Sequence, residues 1–372
     1  MGLSAAGDGY RGLSPWSFLL IFLFPAGALI AAVRGDSFWV VPWITALVIL
    51  PLIDMVIPTE TTPLEPPQRE TGRSIYTWII LAYAPVQIAL TAYVLWVACT
   101  QNLPLVAQIG IVVTLGLSNG AIGFTLAHEL VHRTATLERM AGRMILLGLA
   151  YPHWAVEHVR GHHRYVGTPR DPATARFGEM FWLFLPRTLS GQVKSGFELE
   201  GERLKKIGKR AWSTDNEVLR MTAIEVLILI GLYAWLGWLG IAYYALQIVV
   251  AVTLLEATNY CQHYGLYRRE IAPGRYEPQA PRHSWNSYHC LTNRYIIELG
   301  RHSDHHAQPG RPYHLLRVDP TAPQLPASYG AMISVALFPP LWFLIMNPRV
   351  KAWNIKAGEA QAGGLPGEGA AA

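Results

Sequence analysis

Nine histidines stand in four short clusters: His128-Glu-Leu-Val-His132, Glu157-His158-Val-Arg-Gly-His162-His163, Asn259-Tyr-Cys-Gln-His263 and Arg301-His302-Ser-Asp-His305-His306. Neutral imidazole suits borderline first-row metals such as iron and zinc, and nine exceed what one ion can hold, so two metals are the economical reading. On a helix His128 and His132 lie one turn apart on one face. His158 and His162 are expected to repeat that pattern, with His163 turned by about 100°. His302, His305 and His306 combine three- and four-residue steps, and His263 caps the site from another helix. One histidine at a membrane interface needs no function; four clusters leave that explanation little room.

The elements that must position these clusters are apolar helices. Of 372 residues 51% are hydrophobic and 15% charged, against roughly 25% charged in a soluble domain. Apolar runs at about 16–33, 38–57, 75–99, 104–127, 218–237 and 240–260 predict about six transmembrane helices, since roughly 30 Å of hydrocarbon takes about 20 residues. The first run follows a polar leader without an Ala-x-Ala pattern and reads as a retained helix. The stretch 331–347, broken by Pro339-Pro340, suits an interfacial segment better than a further span. The expectation is one all-α membrane domain over 1–372, with cytoplasmic parts at 131–217 and 263–350 and a disordered tail at 358–372. Within the first part, 137–149 reads as an amphipathic helix, Phe181–Leu185 and Trp212 as interfacial, and Glu198–Arg210 as a charged helical run facing water.

Charge agrees with this topology. With both termini inside, 29 of the 30 basic residues fall on the cytoplasmic side: Arg11, Arg69, Arg73, fifteen in 131–220 and eleven after 263; only Arg34 lies outside. The basic excess belongs to the face that carries the histidines, where it can meet anionic lipid or an acidic protein. No nucleic-acid-binding module is recognisable. Cys99, Cys261 and Cys290 form no Cys-x-x-Cys pair, and no Gly-x-Gly-x-x-Gly run follows a strand. The chain is therefore expected to bind no haem, flavin or nicotinamide and to take electrons from another protein. His128-Glu129-Leu-Val-His132 also matches the His-Glu-x-x-His of zinc metallopeptidases, with glutamate as general base, but that reading leaves seven clustered histidines unused.

Longer polar matches go further. Thr168-Pro-Arg-Asp171-Pro-Ala-Thr-Ala-Arg-Phe-Gly-Glu179 follows the second cluster, Tyr-Gly-Leu follows His263, and His283-Ser-Trp-Asn-Ser287-Tyr-His289 precedes the fourth cluster. From about residue 15 to 350 the chain resembles the membrane-bound alkane 1-monooxygenases, whose relatives include the xylene monooxygenase hydroxylase component and, more remotely, membrane fatty-acid desaturases. The resemblance implies two iron ions held by His128, His132, His158, His162, His163, His263, His302, His305 and His306, with O2 as co-substrate. It implies terminal hydroxylation of medium to long linear alkanes to primary alcohols. It also implies a rubredoxin donor with an NAD(P)H-dependent rubredoxin reductase upstream, in a bacterial inner membrane with the site toward the cytoplasm. Glu129, Asp171 and Asp304 become candidates for orienting imidazoles, and His283 and His289 for supporting or closing the site; His153 and His314 stay outside the set. Ala46, among small residues of the second apolar run, is the candidate for lining a substrate channel. The sequence departs from the family pattern at Arg133 (usually Lys), Gln262 (usually Glu) and Gly300 (usually Gln). None removes a ligand, but Gln262 takes one negative charge from the ligands' surroundings. Hydroxylation of an alkyl-aromatic or terpene hydrocarbon, lipid desaturation, a membrane metal transporter and the zinc peptidase stand as the alternatives.

Overall fold

The computed structural model describes residues 13–61 and 73–356. The expectations for Arg11, Arg69 and the tail 358–372 lie outside the described residues. The protein is an all-α membrane protein; its strands among the described residues are the short antiparallel pair Glu270–Ala272 and Arg275–Tyr276.

Five helical stretches are long and apolar enough to cross a membrane: Pro15–Arg34, Ser37–Val56, Ile75–Thr100, Leu105–Val131 and Glu217–His263. The last is 47 residues long. It is broken at Gly237, whose φ of 64° and ψ of −161° are open to glycine alone. The Tyr244 hydroxyl donates to Glu225 Oε1 at 3.1 Å. In a continuous helix those residues would stand roughly 28 Å apart at about 1.5 Å per residue. The stretch is therefore a helical hairpin, and its two arms are the fifth and sixth candidate spans. A final pair, Tyr329–Ala336 and Pro339–Ile355, bends by 119° at the expected proline pair.

Small residues let the fourth span approach its neighbours. A Cβ on Gly110 would lie 2.4 Å from the Trp39 ring, on Gly116 2.7 Å from Val250, and on Gly120 2.9 Å from Ala251 Cα. Between apolar helices in lipid, such close approach supplies the packing that the hydrophobic effect does not. Asn119 Nδ2 donates to Gln247 Oε1 at 3.0 Å, adding a polar clasp between the fourth and sixth spans.

Below the bundle lie the helix Thr136–Leu147, a short helical segment at 154–165 and the helix Phe181–Lys206. The last is strapped to the sixth span by Thr188 and Gln192, whose side chains donate to Glu256 at 3.0 and 2.8 Å. Most of the charged run at 198–210 faces water as expected, but its helix is shorter and one of its charges turns inward. Its helix ends at Lys206, and Glu200 is fully buried between Arg160 and Arg203 at 2.7 and 2.6 Å. Two guanidiniums make that burial tolerable, and one of them belongs to the second histidine cluster.

Candidate metal centre

Four backbone elements bring the histidines together. His128 and His132 close the fourth span. Residues His158–His162 form a π-helical turn, wound from residue i to i+5. His302–Ala307 is a short α-helix that follows a loop docked beneath the spans. His263 ends the sixth span.

The nine imidazoles converge in two groups, each with all its ligand nitrogens within 4.8 Å of one another: His128, His132, His158, His163 and His305, and His162, His263, His302 and His306. The groups adjoin, with the His163 and His306 rings stacked at 4.4 Å. The expected partnership of His158 with His162 is corrected here. The π turn widens the helix so that His158 faces the same ion position as His163, five residues on, and sends His162 to the other group. In the last helix ordinary α geometry holds. His302 and His306, four apart, share a group, and His305 points to the other.

Several observations fit these groups to metal ions. His163 Nε2 lies 3.0 Å from His158 Nε2 and 3.1 Å from His305 Nε2. His302 Nε2 lies 3.1 Å from His263 Nε2 and 3.0 Å from His306 Nε2. Two nitrogens bonded to one ion at about 2.1 Å stand about 3.0 Å apart at a right angle and about 3.4 Å apart at the tetrahedral angle. The spacing and the all-imidazole donor sets fit a first-row metal ion in each group. His128 Nε2 and His132 Nε2 are buried and find no hydrogen-bond partner among the described residues. Burial, followed by repulsion from neighbouring imidazoles, holds His158, His163, His302, His305 and His306 well below the ordinary histidine range. Burial, then the Arg133 charge, lowers His132 to about 3. These rings are neutral near pH 7 and keep a lone pair for a metal.

The surrounding residues set ring orientation. Asp171 Oδ2 lies 3.0 Å from His162 Nδ1, and the His283 carbonyl lies 3.2 Å from His263 Nδ1. Both hydrogen bonds place the proton on Nδ1 and leave Nε2 free to ligate. The His283 ring turns away to Glu277 at 3.2 Å, and His289 pairs with the Ser287 hydroxyl at 3.0 Å. Between them Asn286 Oδ1 accepts from the backbone and hydroxyl of Ser303, both at 3.0 Å. The loop 283–289 thus supports His263 and the last ligand helix through its backbone and Asn286. Glu129 and Asp304, expected to orient imidazoles, do other work. Glu129 binds Arg133 and accepts from the Tyr313 N–H at 3.0 Å, and Asp304 binds Arg311 and accepts from the Arg317 N–H at 2.9 Å. Each ties its histidine helix to the segment 310–317, because a nearby guanidinium outbids an imidazole for a carboxylate. A Glu129 held this way is poorly placed as a peptidase base.

Other residues at the site escape sequence reading. Trp154 stacks on His158 at 4.2 Å; its four-residue offset from that ligand was the available signal. Asn259 and Gln262 line a small chamber with His128, His158 and His302, and the Gln262 amide lies beside the Tyr329 hydroxyl. A second, apolar cavity between the spans is lined by Phe24, Ala46, Leu117, Ile333 and others. The two share Gly120, Thr125, Thr258 and Leu299, so the cavity containing Ala46 adjoins the histidine chamber at these four residues. His153 lies against Tyr151, and His314 stacks on Tyr76, both apart from the two histidine groups.

Comparison with known proteins agrees with this arrangement. The fatty acid desaturase family profile matches residues 103–336. The chain is 40% identical to alkane 1-monooxygenase 2 of Pseudomonas aeruginosa, over 84% of this chain and 85% of that protein. It is 37% identical to the alkane 1-monooxygenase of Acinetobacter baylyi, over 82% and 74%. It is 30% identical to the xylene/toluene monooxygenase hydroxylase component of Pseudomonas putida, over 66% and 65%.

Proposed function

The chain belongs to the alkane 1-monooxygenase family, and from that premise we propose that it hydroxylates the terminal carbon of medium to long linear alkanes at two irons held by its nine histidines. One oxygen atom of O2 enters the C–H bond to give a primary alcohol, and the other leaves as water with two electrons and two protons supplied from outside. Bound iron supplies the one thing no side chain can, an oxidant derived from O2 that is strong enough for an unactivated C–H bond.

The observation that carries this reading is the apolar cavity at Ala46, which shares four wall residues with the chamber of His128, His158 and His302. An alkane offers nothing to hydrogen-bond, so its affinity comes from burial, about 0.8 kcal/mol per methylene, and its selection is steric. The spans supply a dry wall, which keeps water from the reacting carbon. Asp171 and the His283 carbonyl hold His162 and His263 in the ligating tautomer. A hydrophilic metal pathway through the middle of the bundle, as a transporter would need, is not what the ligands line; they gather at helix ends.

The donor in this reading is a rubredoxin, reduced by an NAD(P)H-dependent rubredoxin reductase. The chain contains no Cys-x-x-Cys or dinucleotide motif of its own. Exposed Arg164 and Arg170 flank Tyr165, two residues beyond His163, and offer an acidic protein a landing place beside the five-histidine group. The placement of basic residues supports a bacterial inner membrane with this face toward the cytoplasm. The similarity to the xylene/toluene component keeps alkyl-aromatic hydroxylation as the second reading. Dodecane supplied with 18O2, rubredoxin and its reductase should yield 1-dodecanol carrying one labelled oxygen. Unlabelled alcohol, or an alkene as the main product, would overturn the assignment.

A further inference from the structure

We propose that Leu299, carried on the turn 296–300, gates the passage to the histidines and decides which carbon of a chain reaches them; this rests on the reading of the protein as an alkane hydroxylase. The membrane-side cavity and the histidine chamber share four wall residues. Three are fixed on spanning helices. A Cβ on Gly120 would stand 2.9 Å from Ala251 Cα, so the fourth and sixth spans are in close contact at that wall. The Thr125 and Thr258 hydroxyls donate to the carbonyls of Ala121 and Leu254, each at 2.9 Å. With their oxygens turned back onto their own helices, both threonines leave methyl groups for the passage. Leu299 is the fourth wall. It is half-buried while Ile296, Ile297, Glu298 and Gly300 are buried, as expected of a side chain that faces a cavity.

The backbone beneath Leu299 is unusual. Ile297 and Glu298 have φ of 45° and 60°, in the left-handed region that a β-branched residue avoids. Such a conformation persists only where its surroundings over-determine it, and such sites cluster at ligand clamps. Here the fully buried Glu298 carboxylate is bound by Arg294 and by Arg301 Nε at 2.7 Å. Asn293 joins the turn at three points: its carbonyl accepts from Glu298 N at 2.8 Å, its Oδ1 from Gly300 N at 3.1 Å, and its Nδ2 donates to the Ser287 carbonyl at 2.9 Å. A Cβ on residue 300 would lie 2.2 Å from both Asn293 Oδ1 and the Ser287 carbonyl, so this clasp depends on Gly300. Glycine there is one of the departures from the family pattern. Arg301, which closes the clasp, directly precedes the ligand His302. Leu299 is thus held at a set position relative to the histidines, and the passage past it is bounded by methyl groups. A chain end fits such an opening, whereas an internal methylene has to enter folded, at about twice the width.

The test compares Leu299→Ala, Leu299→Phe and Leu299→Cys with the wild-type, metal-loaded protein in detergent. Removing the isobutyl wall should raise 2- and 3-dodecanol relative to 1-dodecanol on the order of tenfold, the discrimination that a methylene or so of pocket space provides. Leu299→Phe should lower dodecane turnover without lowering metal content. Independently of turnover, the thiol introduced by Leu299→Cys should react with methyl methanethiosulfonate, and saturating dodecane should slow that reaction several-fold, as located by peptide mass mapping. Modification of the introduced thiol at the same rate with and without dodecane would overturn the proposal, as would an unchanged alcohol pattern from metal-replete Leu299→Ala. If the wild type oxidises no alkane, the reaction assigned above fails, while protection of the introduced thiol still decides whether position 299 lines the passage.

Discussion

Asp171→Asn isolates the contribution of one orienting residue. Asp171 and His162 are both buried, and Oδ2 lies 3.0 Å from Nδ1. The carboxylate is held by the Thr174 hydroxyl at 2.6 Å and by the Ala173 N–H at 3.0 Å. Burial alone would raise its pKa, but the His162 imidazole and the Thr174 hydroxyl outweigh burial and hold it below the usual carboxylate range. Asparagine keeps the shape and removes the charge. A buried hydrogen bond to a charged group contributes about 1.5–3 kcal/mol, which corresponds to a factor of roughly 10 to 150. Loss of such a partner to a metal-bound histidine weakens metal binding by about 10 to 100-fold. The loss should fall on the four-histidine group, because the imidazole that Asp171 orients, His162, belongs to that group. Titration of the loaded protein with a chelator, counting metal per chain by mass spectrometry, should show one metal leaving at about 10 to 100-fold lower free chelator and the second unchanged. Coincident release curves for variant and wild type would refute the role given to Asp171.

Four further outcomes are expected. His263→Ala and His305→Ala remove one ligand from each group, so each should retain about one metal per chain and lose oxidation; two tightly held metals in either would contradict the division into groups. Ala46→Trp fills the outer cavity and should shorten the longest alkane accepted with metal content unchanged, and an unaltered chain-length profile would place Ala46 outside the channel. Gly237→Ala forces a glycine-only conformation on alanine and should cost about 1–3 kcal/mol, read as a lower thermal midpoint in detergent; an unchanged midpoint would contradict the hairpin break. Turnover with rubredoxin should fall as salt rises, because steering between charged faces is screened beyond about 8 to 10 Å, and NADH-driven turnover by the chain alone would end the need for a donor.

The spans were legible because hydropathy and length alone decide them. The hairpin was legible too, since the run from 217 to 263 is twice what a bilayer takes and Gly237 supplies the break. The nine converging histidines follow from residue type and spacing. Their division into five and four does not, because the π turn at His158–His162 changes the helical phase and leaves no mark in a pattern read at 3.6 residues per turn. Carboxylates beside histidines in sequence misled at Glu129 and Asp304, whose partners Arg133 and Arg311 lie four and seven residues away. The burial of Glu200 depends on Arg160, which another segment brings to meet it. Leu299 carried no signal, being one apolar residue in a loop whose importance lies in backbone angles.

The division into two metal groups is tested most directly by metal analysis of the intact protein assembled under iron-replete conditions, joined to X-ray absorption at the iron edge. Two irons per chain, each surrounded by nitrogen ligands, are expected from five and four converging imidazoles. A single ion per chain, or a zinc site that accompanies peptidase activity, would contradict it.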